Sequence, residues 1–304
     1  MRLLFFGSSP FSLSVLEALK KVHQIVGVIT QPDRPKGRGR KPAPTVVKLF
    51  AQKERLFILD PENLDQKVLE ILKGLSPEVL VVAAYGKILP SEYLNLAPFG
   101  AINVHPSLLP KYRGPSPIQW VLLKGERETG VTTFLMDEGL DSGPILLQER
   151  VSIEDDDNYS SLLEKLSNLS AQLILKTLEE MEKGTLMPIP QDHQKACYTK
   201  KIDRSLGLIN WNRPAREVWN KVRALEGWPC AYTFWKGKLL KIWKASLGEG
   251  KGEPGTIIGL KGGIEIACSD GSLIIRELQL EGGKRISSLD FLRGHRLDVG
   301  ERIG

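Results

Sequence analysis

Short apolar runs alternate with segments of helical periodicity through the first half of this 304-residue chain. Arg2 to Phe6, Ile25 to Ile29, Val79 to Ala83 and Ala101 to Val104 are largely apolar stretches of strand length, and the segments between them repeat apolar residues every three or four positions. The pattern predicts a parallel α/β sheet covered on both faces. Ser9 and Pro10 supply an N-cap and a first helical position, Leu13, Leu16 and Leu19 a buried stripe, and Lys20 and Lys21 suit the negative end of that helix. Ser91 to Leu96 and Pro115 to Leu123 read as shorter helices, and Thr129 to Met136 and Ile145 to Ile153 as strands flanking a polar loop. A long helix follows, with Asp155, Asp156 and Asp157 at its positive end. Leu162, Leu166, Leu169, Leu173 and Leu178 line one face, and Gly184 stops it.

Beyond Gly184 the helical period is lost. Residues 185 to 205 hold Pro188 and Pro190 among polar residues, with Lys195, Lys200, Lys201 and Arg204, the composition of a semi-rigid basic linker. Pro214 then opens a helix with Ala215, Val218, Trp219, Val222 and Leu225 on one stripe. Strands punctuated at Lys236-Gly237, Gly262-Gly263 and Asp270-Gly271 complete the pattern of a small β-barrel. The expected organisation is a first domain over 1–184, a linker over 185–205 and a second domain over 206–304, in keeping with a length that exceeds one typical domain.

Charge divides along the same line. Residues 1 to 184 carry 22 Lys+Arg against 23 Asp+Glu, and the remainder carries 20 against 13, so a net charge of +6 resolves into −1 and +7. A polyanionic partner for the second half is the reading this favours over a merely solubilising surface. Cys197, Cys230 and Cys268 are odd in number and widely spaced, and His23, His193 and His295 lack a companion at ligand spacing, so neither disulfide framework nor metal is expected. Arg2 precedes only four apolar residues before Gly7, too few for a signal peptide or a membrane span, and a cytoplasmic protein without membrane association is expected.

The candidate chemistry lies where Gly100 to Val104 runs into His105-Pro106-Ser107-Leu108-Leu109-Pro110. Residues two apart on a strand share a face, so Asn103 and His105 can reach one atom beyond the strand end, where loops of open parallel sheets carry chemistry. Asp141 in the downstream polar loop adds an acid. There is no Gly-x-Ser-x-Gly elbow, which points to direct attack of an acceptor amine on an acyl carbon, with no covalent enzyme intermediate. Asn103 and a protonated His105 can hydrogen-bond the oxyanion that forms, and Asp141 favours the charged imidazole and assists proton movement. Gly7-Ser8-Ser9-Pro10-Phe11 follows the first strand without a G-x-G-x-x-G pattern, which disfavours a dinucleotide, and no Walker A sequence is present.

Arg34, Lys36, Arg38, Arg40 and Lys41 crowd a Gly- and Pro-rich loop between a strand and a helix, a candidate for gripping phosphates. Five of six tryptophans fall after residue 210; those in Trp235 to Lys244 are read as barrel core, with the interleaved lysines as phosphate contacts.

These residues resemble the 10-formyltetrahydrofolate-dependent formyltransferases over nearly the whole chain. Asn103, His105 and Asp141 are similar to that family's catalytic triad, Ser107-Leu108-Leu109-Pro110 to its folate-contacting turn, and Ala84-Tyr85-Gly86-Lys87-Ile88-Leu89-Pro90 to the segment bordering its pterin pocket. The resemblance implies a Rossmann-like formyltransferase domain followed by an OB-like barrel. It also implies 10-formyltetrahydrofolate as formyl donor, held by Ser107 to Pro110 and Tyr85 to Leu89. Thr30 to Pro35 with its Gly-Arg-rich continuation, and Ile209-Asn210-Trp211, Gly227-Trp228-Pro229 and Ile242-Trp243-Lys244-Ala245, are similar to the members that use tRNA. The implied acceptor is therefore the α-amino group of methionine on initiator tRNA, contacted by Arg34, Lys36, Arg38, Arg40, Lys41, Lys200, Lys201 and Arg204, with the enzyme acting as a monomer. An amino-sugar nucleotide as acceptor, or an RNA-binding protein whose α/β domain is only a scaffold, are the alternatives.

Overall fold

The computed structural model describes residues 1–36 and 41–304, leaving Arg38 and Arg40 and the side chains of Lys36 and Lys41 outside the described residues. Two compact units emerge: Met1–Gly114 with Glu128–Ser152 and Leu163–Tyr198, and Pro115–Arg127 with Ile153–Leu162 and Thr199–Gly304.

The first unit is built on β1 (Arg2–Gly7), whose residues Leu3 to Phe6 are all fully buried. It pairs in parallel with β2 (Gln24–Ile29) and with a later strand, and α1 (Pro10–Val22) crosses between. Ser9 caps α1 in a capping box closed by Ser12, with Pro10 at the first turn, as the sequence predicts. After β2, β3 (Arg34–Lys36) and β4 (Lys41–Ala43) form a two-stranded antiparallel ribbon at the root of the basic loop. Lys48 on α2 (Val46–Lys53) bridges Asp33 and Asp60 at 2.7 Å each, and Arg34 reaches Glu62 at 2.9 Å, so that root is tied to its surroundings by ion pairs.

The sheet continues with β5 (Ile58–Leu59), α3 (Gln66–Gly74), β6 (Val79–Ala83), α4 (Ser91–Leu94) and β7 (Ala101–His105). Skipping α5 (Pro117–Lys124), which belongs to the second unit, it ends with β8 (Glu128–Leu135) and β9 (Ile145–Ser152), in the order β5-β2-β1-β6-β7-β8-β9. The strands through β7 are parallel, but β8 runs antiparallel to β7 and β9 antiparallel to β8. The loop that joins β8 directly to β9 contains no helix, and without a crossover consecutive strands pair antiparallel. The long helix α6 (Tyr159–Glu182) follows; Asp157 is buried before it, accepting from the Glu154 backbone N–H and the Ser161 hydroxyl at 2.8 Å each, a turn-closing role.

In the second unit α7 (Ala215–Ala224) packs on a strongly curved antiparallel sheet of β10 (Ala231–Trp235), β11 (Lys238–Gly248), β12 (Ile257–Gly259), β13 (Ile264–Ala267), β14 (Ser272–Leu280) and β15 (Ile286–Ser287), closed by α8 (Ser288–Gly294). The described strand path runs β10-β11-β14-β13-β12 and stays open, a half-barrel. Its core gathers Trp211, Val218, Val222, Trp235, Ile242, Ile266, Leu278 and Phe291. Cys230 and Cys268 are buried there, which pushes both thiols up to about 11, while Cys197 is exposed. Among the described residues no helix is long and apolar enough to cross a membrane, and no group of His, Cys, Asp and Glu is arranged to hold a metal.

Tyr85 sits in the first unit's core beside Leu4, Phe6, Ile29 and Leu89, edge-on to Phe6 at 5.4 Å. Burial first, and the neighbouring Tyr93 second, push its phenol up to about 12; burial also takes Tyr93 to about 12. Both groups bind their protons more tightly when folded, so their contribution is complete below the ordinary tyrosine range and is lost as pH rises from about 10 to about 12. Stability measured by urea unfolding should therefore decline across that window, and Tyr85→Phe should flatten the decline; an unchanged alkaline limb in the variant would place the effect elsewhere.

Candidate active site

The parallel strands β1, β6 and β7 deliver their carboxyl ends to one edge of the sheet, with Val82 of β6 registered against Asn103 of β7. Loops at such an edge are where open α/β sheets place ligands. Asn103 and His105 project from the last turn of pleat on the same face, and His105 is 5% exposed.

The loop from Met136 to Pro144 begins beside the start of β7, where the Met136 N–H donates to the Ala101 carbonyl at 2.8 Å. It then doubles back along the strand and sets the Asp141 carboxylate across both side chains. Asn103 Nδ2 donates to Oδ1 at 3.4 Å, and His105 Nδ1 lies 3.6 Å from Oδ2. The Gly114 backbone N–H donates to Oδ2 at 2.7 Å. On its other edge the imidazole meets the Tyr112 carbonyl, 2.9 Å from Nε2. A carbonyl can only accept, so Nε2 carries a proton and anchors the ring, leaving Nδ1 as the nitrogen that looks at the carboxylate.

Asp141 adopts a left-handed backbone, φ 50°, a conformation that costs a non-glycine residue free energy and persists only where neighbours impose it. At Gly143 a Cβ would collide with the Leu135 carbonyl, so the loop can close this tightly only on glycine.

The turn after His105 is fixed from within. Ser107 is fully buried and donates to the Lys111 carbonyl at 2.8 Å, and Leu109 is buried, leaving Leu108 and Pro110 partly exposed. Thr132, registered opposite His105, is the hub. Its hydroxyl donates to the Ser107 carbonyl (2.7 Å) and accepts from the Leu109 N–H (3.2 Å) and from Gln148 Nε2 (2.8 Å). In the neighbouring loop, Tyr85 and Leu89 point into the core, Gly86 is left-handed at φ 83°, and Lys87 Nζ donates to the Pro61 and Glu62 carbonyls. Ile88 alone of these side chains is largely exposed, at 85%.

Arg34, Lys200, Lys201 and Arg204 are exposed. In the second unit Arg204 lines a cavity of about 210 Å³ with Leu239, Lys241, Gln279 and Glu281. Trp243 on the same sheet lies under the Arg285 guanidinium at 4.8 Å and near Lys241 at 5.9 Å, whereas Trp211 and Trp235 are core. Cations also lie over Trp219 and, at 4.6 Å from Lys236, over Trp235, while Trp228 is exposed.

Sequence reasoning missed Tyr112, Arg113, Gly114, Thr132 and Gln191. The first three follow the Ser107–Pro110 turn directly, and an arginine beside a glycine there was the available signal. Thr132 and Gln191 carry none in their own neighbourhood.

The sequence profile described as Formyl transferase matches residues 1–178, and that described as Formyl transferase, C-terminal domain, matches residues 201–296. The chain is 43% identical to the methionyl-tRNA formyltransferase of Geotalea daltonii, across 100% of its own length and 98% of the relative's. It is 41% identical to that of Acetivibrio thermocellus over 100% of both. Among solved structures, the N-formyltransferase from Helicobacter canadensis, in complex with folinic acid and dTDP-3-aminofucose, superposes with a TM-score of 0.69 at 19% identity, covering 93% of this chain and 99% of that one. HypX from Aquifex aeolicus in complex with tetrahydrofolic acid gives 0.64 at 19% identity, covering 99% of this chain and 50% of that one. At such identities the structural likeness speaks for the fold.

Replacing Thr132 with valine keeps the branched shape and removes the hub. Because it leaves a buried N–H and a buried carbonyl unpaired, the expected loss is about 1–3 kcal/mol in denaturant unfolding; a midpoint equal to that of the parent protein would show that the turn is held by other means.

Proposed function

The chain belongs to the formyl transferase family, and we propose that it transfers the formyl group of 10-formyltetrahydrofolate to the α-amino group of methionyl initiator tRNA. The products are N-formylmethionyl-tRNA, for translation initiation, and tetrahydrofolate. The observation that carries this reading is full-length identity above 40% to relatives that bear that activity in their names, joined to a three-residue site of the right chemistry. The enzyme acts in the cytoplasm as a single chain.

Asn103, His105 and Asp141 are the catalytic groups. The neutral amine attacks the formyl carbon, a C–N bond forms, and the carbonyl electron pair moves onto oxygen. The free N–H of the Asn103 amide and a proton on His105 Nδ1 are the donors for that oxyanion, worth more in a site this dry than in water. Asp141 is placed to accept the proton that the attacking nitrogen sheds; the oxyanion's electron pair then re-forms the carbonyl as the bond between the formyl carbon and the folate nitrogen breaks, and a proton returned to that nitrogen releases tetrahydrofolate. Nδ1 faces the Asp141 carboxylate, so the imidazole that donates to the oxyanion is also placed to exchange a proton with Asp141.

The donor is held by the turn of Ser107, Leu108, Leu109 and Pro110 and by Tyr85, Gly86, Lys87, Ile88 and Leu89, two loops that leave adjacent strand ends. Leu108, Pro110 and Ile88 supply apolar surface for a flat heterocycle, and buried Ser107, Tyr85 and Leu89 hold the backbone that frames it. The tRNA lies on Arg34, Lys36, Arg38, Arg40 and Lys41 in the first unit and on Lys200, Lys201 and Arg204 in the second.

Purified protein incubated with 10-formyltetrahydrofolate should formylate methionyl-tRNA and leave uncharged tRNA and amino-sugar nucleotides untouched; formylation of the sugar nucleotide instead would reassign the acceptor. Asn103→Ala and His105→Ala should each lower kcat by about a hundredfold or more, and near-normal turnover in either would remove that residue from the chemistry. Neutralising Arg38, Arg40 and Lys41 together should weaken tRNA use and reduce the log–log salt slope by about 0.7 to 0.9 for each phosphate no longer neutralised, leaving donor affinity unchanged.

A further inference from the structure

We propose that Arg113 and Gln191 form a clamp that sets the Asp141 loop, and that both are positioning residues for formyl transfer. The proposal rests on the reading of Asp141 as a catalytic group.

Arg113 is 1% exposed, among the largest fully buried side chains, and it stands one residue from Gly114, whose N–H holds the Asp141 carboxylate. A guanidinium taken out of water is tolerated only when its donors are met. Nε and Nη2 both donate to Gln191 Oε1, at 3.1 and 2.7 Å, and Nη1 donates to His193 Nδ1 at 3.2 Å and to the Tyr198 hydroxyl at 3.3 Å. The forked donation fixes the amide of Gln191, because its oxygen must face the arginine and its nitrogen must then face away.

That nitrogen is what reaches the site. Gln191 Nε2 donates to the Asp141 carbonyl at 3.0 Å and to the Gly143 carbonyl at 2.7 Å. The two hydrogen bonds span the tight part of the loop, on either side of Ser142, and one of them grips the residue whose left-handed backbone needs imposing. The carboxylate of Asp141 is held from one side by Gly114 N–H and its backbone from the other by Gln191, and both restraints lead back to Arg113 and its neighbour.

The segment that brings Gln191 here is stitched in place. Ile189 and Ile145 exchange backbone hydrogen bonds at 2.8 Å in both directions, and the Arg113 N–H donates to the Cys197 carbonyl at 2.9 Å. Residues 189 to 198 therefore form part of the wall behind the active-site loop.

Gln191→Glu separates the clamp's two halves. A carboxylate there still accepts from Arg113 but cannot donate to the carbonyls of Asp141 and Gly143. The expected result is a folded protein whose kcat falls about tenfold to a hundredfold, as a small misplacement of a reacting group costs, with KM for donor and for tRNA changed less than about twofold because neither substrate touches Gln191. Combining Gln191→Glu with Asp141→Asn should lower kcat no further than Asp141→Asn alone, since a residue that acts through Asp141 has nothing left to position. Additive losses, or full kcat in Gln191→Glu beside a crippled Asp141→Asn, would overturn the clamp and leave the catalytic role of Asp141 standing. Full kcat in Asp141→Asn would instead overturn that role and the clamp with it. Arg113→Lys is the second variant: it keeps the charge but can address Gln191 with fewer donors, so a partial loss of kcat with the same non-additivity against Asp141→Asn is expected. An unaffected Arg113→Lys would count against the arginine half of the proposal.

Discussion

Asp141 faces an amide through one carboxylate oxygen and an imidazole and a backbone N–H through the other, while the far edge of that imidazole is tied to a carbonyl. Remove the carboxylate and three donors, two on β7 and one at Gly114 beyond the turn, lose their common acceptor. A half-buried acid offsets its desolvation with such hydrogen bonds, and the same bonds also fix the distances among the groups around it. Stability of the loop and geometry of the candidate site are therefore set by one set of interactions.

The parts legible in the sequence are those governed by local periodicity. Asn103 and His105 stand two apart on a strand, and the pleat puts them on one face whatever the rest of the fold does. The cap at Ser9-Pro10, the strand at Leu3 to Phe6 and the helix stripes are likewise written within a few residues of themselves. What the sequence did not disclose is carried by distance: Gln191 bonds to residues 48, 50 and 78 positions away, and its own surroundings of prolines and polar residues read as a linker. The turn from β8 to β9 could be inferred from the missing crossover, but α5 lies between β7 and β8 in the chain, so nothing local announces that β8 runs antiparallel to β7. Tyr85 and Leu89 lie in a recognisable motif, yet only the structure separates side chains that build its floor from Ile88, which is exposed.

The basic residues follow another logic. Around the root of the loop after β2, positive charge is already balanced locally: Lys48 by two carboxylates and Arg34 by Glu62. Exposed pairs of this kind contribute little to stability, so the Arg34–Glu62 pair costs little to break. In the second unit the cations lie over aromatic faces, with Arg285 and Lys241 flanking Trp243 and Arg216 and Arg223 flanking Trp219. Each of these guanidiniums also has a polar partner: Arg285 pairs with Glu277 at 2.6 Å, Arg216 with Asp155 at 3.5 Å, and buried Arg223 donates to Asn220 and to the Glu154 and Asp157 carbonyls. Ring face and polar partner together fix where these cations sit.

The backbone exchange between Ile145 and Ile189 bears on how such a chain can be recombined. The end of α6 looks like a natural seam, but a splice there would carry off the strip of chain that lies against the β8–β9 loop. Grafting a foreign carrier domain onto the first unit should therefore respect a junction after Tyr198. A chimera joined earlier inherits a wall evolved for some other loop.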